Sequence, residues 1–454
     1  MDGSDDSNDA YDFAGKLNPY LFSNDPRLTD AANHLYSAIQ FQGQKKLILN
    51  QITILLLNLI YLKQIKPQGS LRYSRRNQYW TDFNSKMPNP WGISQKIDHI
   101  IDKMKAAGLL HVTVGMTNGK IKRQTRIKPT AKLTAEYLKP FDLLGLPLGL
   151  HKEFPLLQVH IKRKSTINKD QIDHIRYESK GSAKTKRMKE RLKSYNTYIR
   201  KQSIALADTP ETQQALEHID FDLKSRCYRV FSDHELTAGG RFYGPWWQSL
   251  GSDMRKHITI NGQATIELDY KSQHAHMLYG VCLGKPMSTV LGSGVDAYSF
   301  GGYPRDLGKA MFTIALNTRR EHAREALRNN LKKKLGGNDD ANIKSFLQVV
   351  DNDDLYAAFL SAFKDHHKAV IGPKGYLYPR TDETKWWRSF QFYDSQICAY
   401  VLQETRLKGI PCLSIHDSFI VTQDKEDALR AIMIDAYSKA DLIPDLLSSL
   451  PEIA

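Results

Sequence analysis

The chain is poor in cysteine and has no long uninterrupted apolar run. Its four cysteines among 454 residues lie far apart and form no Cys-x-x-Cys pair, which argues against a zinc knuckle or a disulfide framework and favours a reducing compartment. The longest apolar run, 52–62, contains Asn58 and is shorter than the roughly 20 residues that a membrane-spanning helix needs. The acidic start is unlike a signal or transit peptide. We therefore expect a soluble, cytoplasmic protein without a membrane partner.

Acidic residues are in the minority. Lys and Arg number 64 against 49 Asp and Glu, a formal net charge of +15. Such an excess is typical of proteins that bind polyanions, because cations neutralise phosphates and release counterions. The charge is concentrated in residues 180–201, where Tyr195 and Tyr198 are suited to stacking on bases. The alternative is a solvated helix face on a linker. The cations expected to contact nucleic acid are Lys184, Lys186, Arg187, Lys189 and Arg191.

The first quarter of the chain predicts a small helical domain behind a tail. Residues 1–27 are expected to be a disordered acidic tail and lead-in. Apolar residues recur with helical spacing from 44 to 63. A second helix, over 94–107, is predicted to begin with Ser94 as its N-cap and to end at Gly108.

Two predicted strands follow that helix, over 109–114 and 122–128, and the hairpin signal Asn118-Gly119 joins them. Helix, strand, tight turn and basic strand in this order resemble a winged-helix domain, covering residues 28–140. The resemblance implies that the helix reads DNA while a basic wing contacts phosphates. The alternative is a domain that packs on its neighbour or binds protein. The wing cations are Lys120, Lys122, Arg123 and Arg126.

Two acidic positions later in the chain suggest metal chemistry. A strand over 264–268 ends in Asp269 and turns into a helix, and two short apolar strands flank His416-Asp417. A carboxylate at a strand end and another at a hairpin tip can meet on one sheet. Such a pair can hold two divalent ions for in-line phosphoryl transfer, and Mg²⁺ needs only one or two protein carboxylates beside phosphate and water. We expect two Mg²⁺ ions, with Mn²⁺ as a substitute.

A third segment supplies cations. Arg305 and Lys309 lie four residues apart on a predicted helix and therefore share one face. Two such cations can clamp a triphosphate and stabilise charge on the leaving pyrophosphate. Phe312 and Asn317 follow on the same helix, where we expect the base and the sugar. Each of these features, taken singly, is more often an N-cap, a turn or a solvated helix face.

Taken in order, these segments resemble the motifs of the single-subunit polymerase superfamily, which contains the bacteriophage-type and mitochondrial RNA polymerases and the family A DNA polymerases. The resemblance covers about 230–425. It departs from the family at Asn317-Thr318, where the fingers helix normally carries Tyr and Gly. At Ser418 it resembles the RNA polymerases, since DNA polymerases usually carry Glu there. The matching residues are Gly240-Arg241-Phe-Tyr243, Asp269, Arg305 with Lys309, and His416-Asp417-Ser-Phe.

The resemblance implies an α+β protein with a right-hand polymerase palm and fingers over 226–454, a basic helical thumb-like or linker region over 141–225 and an N-terminal winged helix. It also implies a role for each matching residue. The metals would be held by Asp269, Asp417 and the backbone carbonyl of Tyr270. The triphosphate would be bound by Arg305 and Lys309, with Lys309 as general acid. The sugar would be contacted by His274, the primer end by His416, and the template–product hybrid or the substrate by Arg241 and Tyr243.

The function expected on this basis is template-directed nucleotidyl transfer, by an RNA polymerase or primase-polymerase of a phage or mobile element. Its partners would be a DNA template, nascent RNA or DNA and nucleoside triphosphates, in a bacterial or phage-infected cell. Two alternatives stay open. One is a DNA polymerase of the same superfamily, and the other is a non-catalytic, DNA-binding replication initiator.

Overall fold

The computed structural model describes residues 14–41, 43–115, 117–118, 121–122, 124–164, 172–179, 181–216, 225–318, 320–335, 340–371, 386–439 and 453. Helices and strands both contribute, so the expected α+β class is confirmed. The chain forms two compact units. The first contains 1–196, 205–228 and 243–257, and the second contains 197–204, 229–242 and 258–454.

The helices and strands of the described residues have the following bounds. The helices are α1 (Pro26–Ile39), α2 (Lys45–Ile65), α3 (Asn77–Lys86), α4 (Ile97–Ala106), α5 (Ala131–Leu133), α6 (Ala183–Ile199), α7 (Gln213–Leu216), α8 (Ser252–Arg255), α9 (Gln273–Leu283), α10 (Met287–Leu291), α11 (Arg305–Asn317), α12 (Arg320–Leu335), α13 (Ala341–Asp351), α14 (Asp353–His366), α15 (Trp386–Leu407) and α16 (Glu426–Lys439). The strands are β1 (Ala14–Lys16), β2 (Leu21–Phe22), β3 (Ser70–Tyr73), β4 (Leu110–Thr113), β5 (Thr117–Asn118), β6 (Ile121–Lys122), β7 (Thr125–Pro129), β8 (Gly149–Leu150), β9 (Leu157–Lys164), β10 (Ile172–Glu178), β11 (Ile204–Leu206), β12 (Tyr228–Phe231), β13 (Gly239–Tyr243), β14 (Ile258–Ile260), β15 (Gln263–Asp269), β16 (Leu413–Ile415) and β17 (Ser418–Thr422).

Helix α2 forms the centre of the first unit. It is the one helix of the described residues that is long and apolar enough to cross a membrane by length and composition, but eleven of its residues are buried in the hydrophobic core. Its buried Asn58 is fully used, because its amide donates to the carbonyls of Asn18 and Ile54, while its oxygen accepts from the backbone N–H of Asn18 at 2.7 Å. The helix therefore packs as a core helix and fixes the chain at Asn18.

The sheet of the first unit has the strand order β1-β3-β7-β4. Along the chain, α2 is followed by β3, α3, α4, β4, the β5–β6 pair and β7. The predicted helix of this region is confirmed, with its apolar face, Ile97, Ile100, Ile101 and Met104, buried.

The boundaries predicted around α4 need two corrections. The helix begins at Ile97 after Lys96, so Ser94 is not the N-cap; its hydroxyl instead accepts from the Lys96 N–H in the preceding turn. The second predicted strand, 122–128, is divided between β6 and β7, and the Gly115 N–H bonds to the Thr125 side chain where the ladder stops.

In the second unit, β14, β15, β17 and β16 are successive neighbours in one sheet. The strands predicted around Asp269 and Asp417 are confirmed as β15, β16 and β17. Strand β15 runs antiparallel to β17, with Leu268 opposite Phe419 and Asp269 opposite Ser418. Leu268 and Phe419 are buried and help to form the core beneath the sheet.

Helix α11 packs very closely on the segment before it. A Cβ at Gly308 would lie 2.0 Å from the carbonyl oxygen of Tyr298 and 2.9 Å from the Phe300 ring. The missing side chain therefore lets the helix that carries Arg305 and Lys309 lie directly on this backbone.

We expect Gly308→Ala to destabilise the protein by about 1–3 kcal/mol, the usual range for overpacking, although alanine favours an isolated helix more than glycine does. Urea unfolding measures the change. Gly145→Ala is the control, because no atom lies within 4 Å of the added carbon there. Equal stability of the two variants would contradict the close packing of α11.

Candidate active site in the second unit

Asp269 and Asp417 lie at the same end of two neighbouring strands. Asp269 is the last residue of β15 and stands opposite Ser418, the residue that follows Asp417. The chain turns sharply on both sides, because Ser272 before α9 and His416 in the β16–β17 turn both have left-handed backbone angles (φ 53° and 57°). These two turns place both carboxyl groups at one edge of the sheet.

The charges around Asp269 favour its protonated form. Partial burial, followed by the negative charges of Asp417 and Glu267, raises the pKa of Asp269 to about 7, against an opposing effect of Lys309. The Asp269 side chain nevertheless has an exposed surface, so ions can reach it from solvent. A carboxylate destabilised by like charges is a group that gains most from a bound cation.

A third carboxylate lies behind Asp417. Asp394 of α15 is 1% exposed, and the Nε of Arg241 donates to its Oδ2 at 2.7 Å. Burial and then the charge of Asp394 raise the pKa of Asp417, while Arg241 and His274 lower it. Arg241 and Asp394 therefore form a nearly buried ion pair beside the catalytic candidates.

The position of Arg241 depends on a second buried cation. Arg229 donates from Nε to the carbonyl of Gly240 at 2.7 Å, and from Nη2 to the Ser395 hydroxyl at 2.9 Å. It thus binds the residue before Arg241 and the residue after Asp394. Gly240 has a φ of 86°, and a Cβ there would lie 2.6 Å from Phe231. Burial lowers the pKa of Arg229 to about 10.

Two histidines lie next to this ion pair. Burial, together with the charge of Arg241, lowers the pKa of His274 to about 4, so its ring is neutral at pH 7. Its Nε2 lies 3.5 Å from Arg241 Nη2; because a guanidinium only donates, this nitrogen is the acceptor. Burial and Arg241 also lower the pKa of His416.

The two cations of α11 differ in their contacts. Lys309 is exposed, and its charge acts on Asp269. Arg305 instead donates from Nε to Asp296 at 2.8 Å, and its guanidinium lies over the Tyr298 ring, 5.3 Å from the centroid. A triphosphate that binds Arg305 therefore has to compete with Asp296.

One of the remaining predicted site residues, Phe312, lies where it cannot fill its predicted role. Phe312 is 1% exposed and packs on Tyr298 and His367, so the prediction that it meets a base is wrong. Asn317 is exposed at the last position of α11, and Tyr243 is exposed at the end of β13. The Tyr270 hydroxyl donates to the Met433 carbonyl at 2.6 Å. The side chain is therefore engaged elsewhere, and the group of Tyr270 predicted to bind a metal is its backbone carbonyl.

Sequence reasoning missed three residues of the site. Asp394 and Arg229 carry no local motif. Glu267 could have been found, because it lies two residues before Asp269 and strand alternation puts both on one face. The Ser418 hydroxyl donates to Glu267 at 2.5 Å. DNA polymerases usually carry Glu at the position of Ser418; here a carboxylate lies beside this position, but it comes from the neighbouring strand.

The predicted nucleic-acid contacts are described only in part. Lys120 and Arg123 lie outside the described residues, as does the side chain of Lys122, whereas Arg126 lies on β7. In α6, Lys189 binds Glu178 at 2.7 Å. Tyr195 is 4% exposed, so it cannot stack on a base. The exposed cations of this helix are Lys184, Lys186, Arg187, Arg191 and Lys193.

The donors at the sheet edge fit Mg²⁺ better than a metal that needs a protein cage. Within the described ranges no group of three or more His, Cys, Asp or Glu is arranged to hold a metal ion. Asp269 and Asp417 are hard oxygen ligands, and Mg²⁺ completes its shell with water and substrate phosphates.

No protein-family model matches this chain, and no curated protein matches it in sequence. The site therefore has to be interpreted from its own geometry.

The raised pKa of Asp269 predicts a pH-dependent stability. A carboxyl whose pKa rises on folding, here from 3.8 to about 7, binds more protons in the folded state. The wild type should therefore lose stability as pH increases between these values. Without metal, Asp269→Asn should raise the melting temperature at pH 8 and change it little at pH 4. Calorimetry in EDTA measures this.

The control for that experiment is Asp424→Asn, because the Lys425 side chain lowers the pKa of Asp424, so its loss should give no gain at pH 8. A similar gain from both variants would show that repulsion at the sheet edge is not the cause.

Breaking the Arg241–Asp394 pair should be costly. Asp394→Ala leaves a poorly solvated guanidinium without its carboxylate, which typically costs about 3–5 kcal/mol. Urea unfolding measures this loss. Asp353→Ala removes the partner of Arg324, an ion pair of similar length whose carboxylate is 90% exposed, and should cost about 1 kcal/mol or less. If both variants lose equally little, the pair does not hold the site together.

Proposed function

We propose that the protein is a template-directed nucleotidyltransferase of the single-subunit polymerase type, with the site of the second unit as its active centre. The observation that carries the proposal is the position of Asp269 and Asp417 at the same edge of adjacent strands, with Lys309 acting on Asp269. Two close carboxylates and a cation are what phosphoryl transfer requires from a protein.

Each group has a defined task in this reaction. The 3′-hydroxyl of the growing chain attacks the α-phosphorus of a nucleoside triphosphate, and the bond to the pyrophosphate breaks. Asp269 and Asp417 would hold two Mg²⁺ ions, which neutralise charge on the phosphates. Lys309 contacts the triphosphate and supplies a proton to the departing pyrophosphate. Arg305 binds the same phosphates after it leaves Asp296.

The residues beside the carboxylates suit contact with the two sugars. His274 is held neutral by its burial and by the charge of Arg241. Because its Nε2 accepts from Arg241, its Nδ1 carries the hydrogen and can donate to a hydroxyl oxygen without adding charge. We assign the incoming sugar to His274 and the primer end to His416. RNA or primer synthesis is our first choice, because His416-Asp-Ser-Phe419 and Gly240-Arg-Phe-Tyr243 resemble the RNA-polymerase versions of these motifs.

The first unit supports a DNA-binding role. We propose a winged-helix-like domain here, and its support is the order of helix, strand, two helices, strand, hairpin and strand along the chain, with β3, β7 and β4 adjacent. The exposed cations of α6 supply further charge for phosphates.

The test is synthesis on single-stranded DNA, primed and unprimed, with Mg²⁺ and either all ribonucleotides or all deoxyribonucleotides. Asp269→Asn and Asp417→Asn should each reduce product at least about 100-fold, because charge stabilisation in the transition state is lost. Asp424→Asn, an exposed acid away from the pair, is the matched control. Calorimetric melting with Mg²⁺ should show stabilisation of the wild type that Asp269→Asn lacks.

The reaction mixture that yields product identifies the sugar of the nucleotide and whether a primer is required. Product that survives Asp417→Asn would refute the assignment of the site. No product in any lane, with DNA binding retained, would instead favour a replication initiator without catalytic activity.

A further inference from the structure

The first unit contains a cavity of about 610 Å³ to which none of the motifs assigns a role. This volume lies within the range of small-molecule sites, roughly 300–1,000 Å³. One wall is a single face of α3, because Tyr79, Asp82, Phe83 and Lys86 follow one another at intervals of three, one and three residues. The opposite wall includes residues 16–20.

The walls combine aromatic rings with cations. Tyr79 and Phe83 are half-buried, so each offers ring surface to the cavity. The Lys16 ammonium lies over the Tyr79 ring, 5.9 Å from its centroid. Lys86 lies 3.5 Å from Asp82, which neutralises part of its charge. Ring surface beside cations suits a planar ligand with an anionic group.

The cavity also contains a polar group without a partner. Tyr20 lines it and is 6% exposed, and within the described part of the chain its hydroxyl has no hydrogen-bond partner. Burial, and to a smaller extent Glu178 and Tyr79, raises the pKa of Tyr20, so its hydroxyl stays protonated at neutral pH and can donate. An orphan buried hydroxyl costs free energy, and a ligand that hydrogen-bonds to it would recover that energy.

The wall of the cavity formed by residues 16–20 is held in place by hydrogen bonds and ring packing. Asn58 in the core holds both backbone polar groups of Asn18, and the Asn18 side chain accepts from the Tyr20 N–H at 3.0 Å. The ring of Tyr20 packs edge-on against Phe154, 5.4 Å away. The cavity is therefore built before a ligand arrives.

We propose that this cavity binds one unstacked nucleotide of single-stranded nucleic acid. The base stacks on Tyr79 and Phe83, the Tyr20 hydroxyl bonds to the base edge, and the phosphate lies near Lys16. The proposal goes beyond the catalytic assignment and does not depend on it, since all of these residues belong to the first unit.

The test uses the full chain and a fluorescein-labelled oligothymidylate, with anisotropy as the readout. Tyr79→Ala should weaken binding about 5- to 150-fold, the range for losing one stacked base, and Tyr79→Phe should not. Lys16→Gln should weaken binding and reduce its salt dependence. The matched controls are Tyr36→Ala and Lys45→Gln, because Lys45 lies over the Tyr36 ring at 5.5 Å in the same unit but away from the cavity.

Two further measurements make the result specific. An oligonucleotide containing 5-iodouracil should crosslink under ultraviolet light to Tyr79 or Phe83, and duplex DNA, whose bases are stacked, should bind equally to wild type and Tyr79→Ala. Thymidine monophosphate distinguishes the sources of the ligand: competition by it shows that a free nucleotide suffices, and its failure shows that a strand is needed.

Three outcomes would overturn the proposal. One is a Tyr79→Ala effect no larger than that of Tyr36→Ala, another is crosslinking only elsewhere, and the third is equal competition by inorganic phosphate and thymidine monophosphate. Loss of polymerase activity in Asp417→Asn leaves all of these binding results unchanged, so failure of the two proposals is distinguishable.

Discussion

The second unit is organised around the repulsion between carboxylates that lie close together. Asp269, Asp417, Glu267 and Asp394 all lie at or behind one sheet edge, and burial, followed by the charges of these neighbours, raises the pKa of Asp269 and Asp417. Elements that carry like charges separate unless something else holds them. The sheet register holds two of these acids, and the remaining restraint comes from Arg241, which compensates the charge of Asp394.

The partly buried Arg241 and the buried Arg229 have different kinds of partner. Arg241 neutralises a carboxylate. Among the described residues, by contrast, the acceptors of Arg229 are neutral oxygens of Gly240, Ser395 and Gln396, and its guanidinium lies over the rings of Phe231 and Phe242. A buried cation of this kind is costly by itself. Arg229 offsets this cost by holding β13 against α15, and that contact aligns Arg241 with Asp394. The close approach of Phe231 and Ser395 to Gly240, which leaves no room for a side chain, belongs to the same contact.

The sequence predicted the strands and helices of the site well and their side-chain environments less well. Strand β15, the hairpin at Asp417 and helix α11 follow from alternation, turn residues and helical spacing, all of which are local. Asp394 is 153 positions from Arg241, and a single acid within a long amphipathic helix carries no local signal. Its importance arises from tertiary contact alone. Ser94 shows the same limit at smaller scale, since a capping residue type does not fix where a helix begins.

The errors with Phe312 and Tyr195 have one common cause. Both were assigned to ligand contact from their place on a helix that carries cations, but helical position alone does not show how deeply a side chain is buried. The cations then point to solvent while the ring enters the core. Tyr79 and Phe83 are the informative contrast, because they have the same helical spacing to Lys86 that Phe312 has to Arg305 and Lys309, yet they are only half-buried and line a cavity. Exposure of the ring, which neither spacing nor proximity in sequence shows, is therefore the criterion that separates a nucleotide-binding surface from a basic helix with a buried aromatic residue.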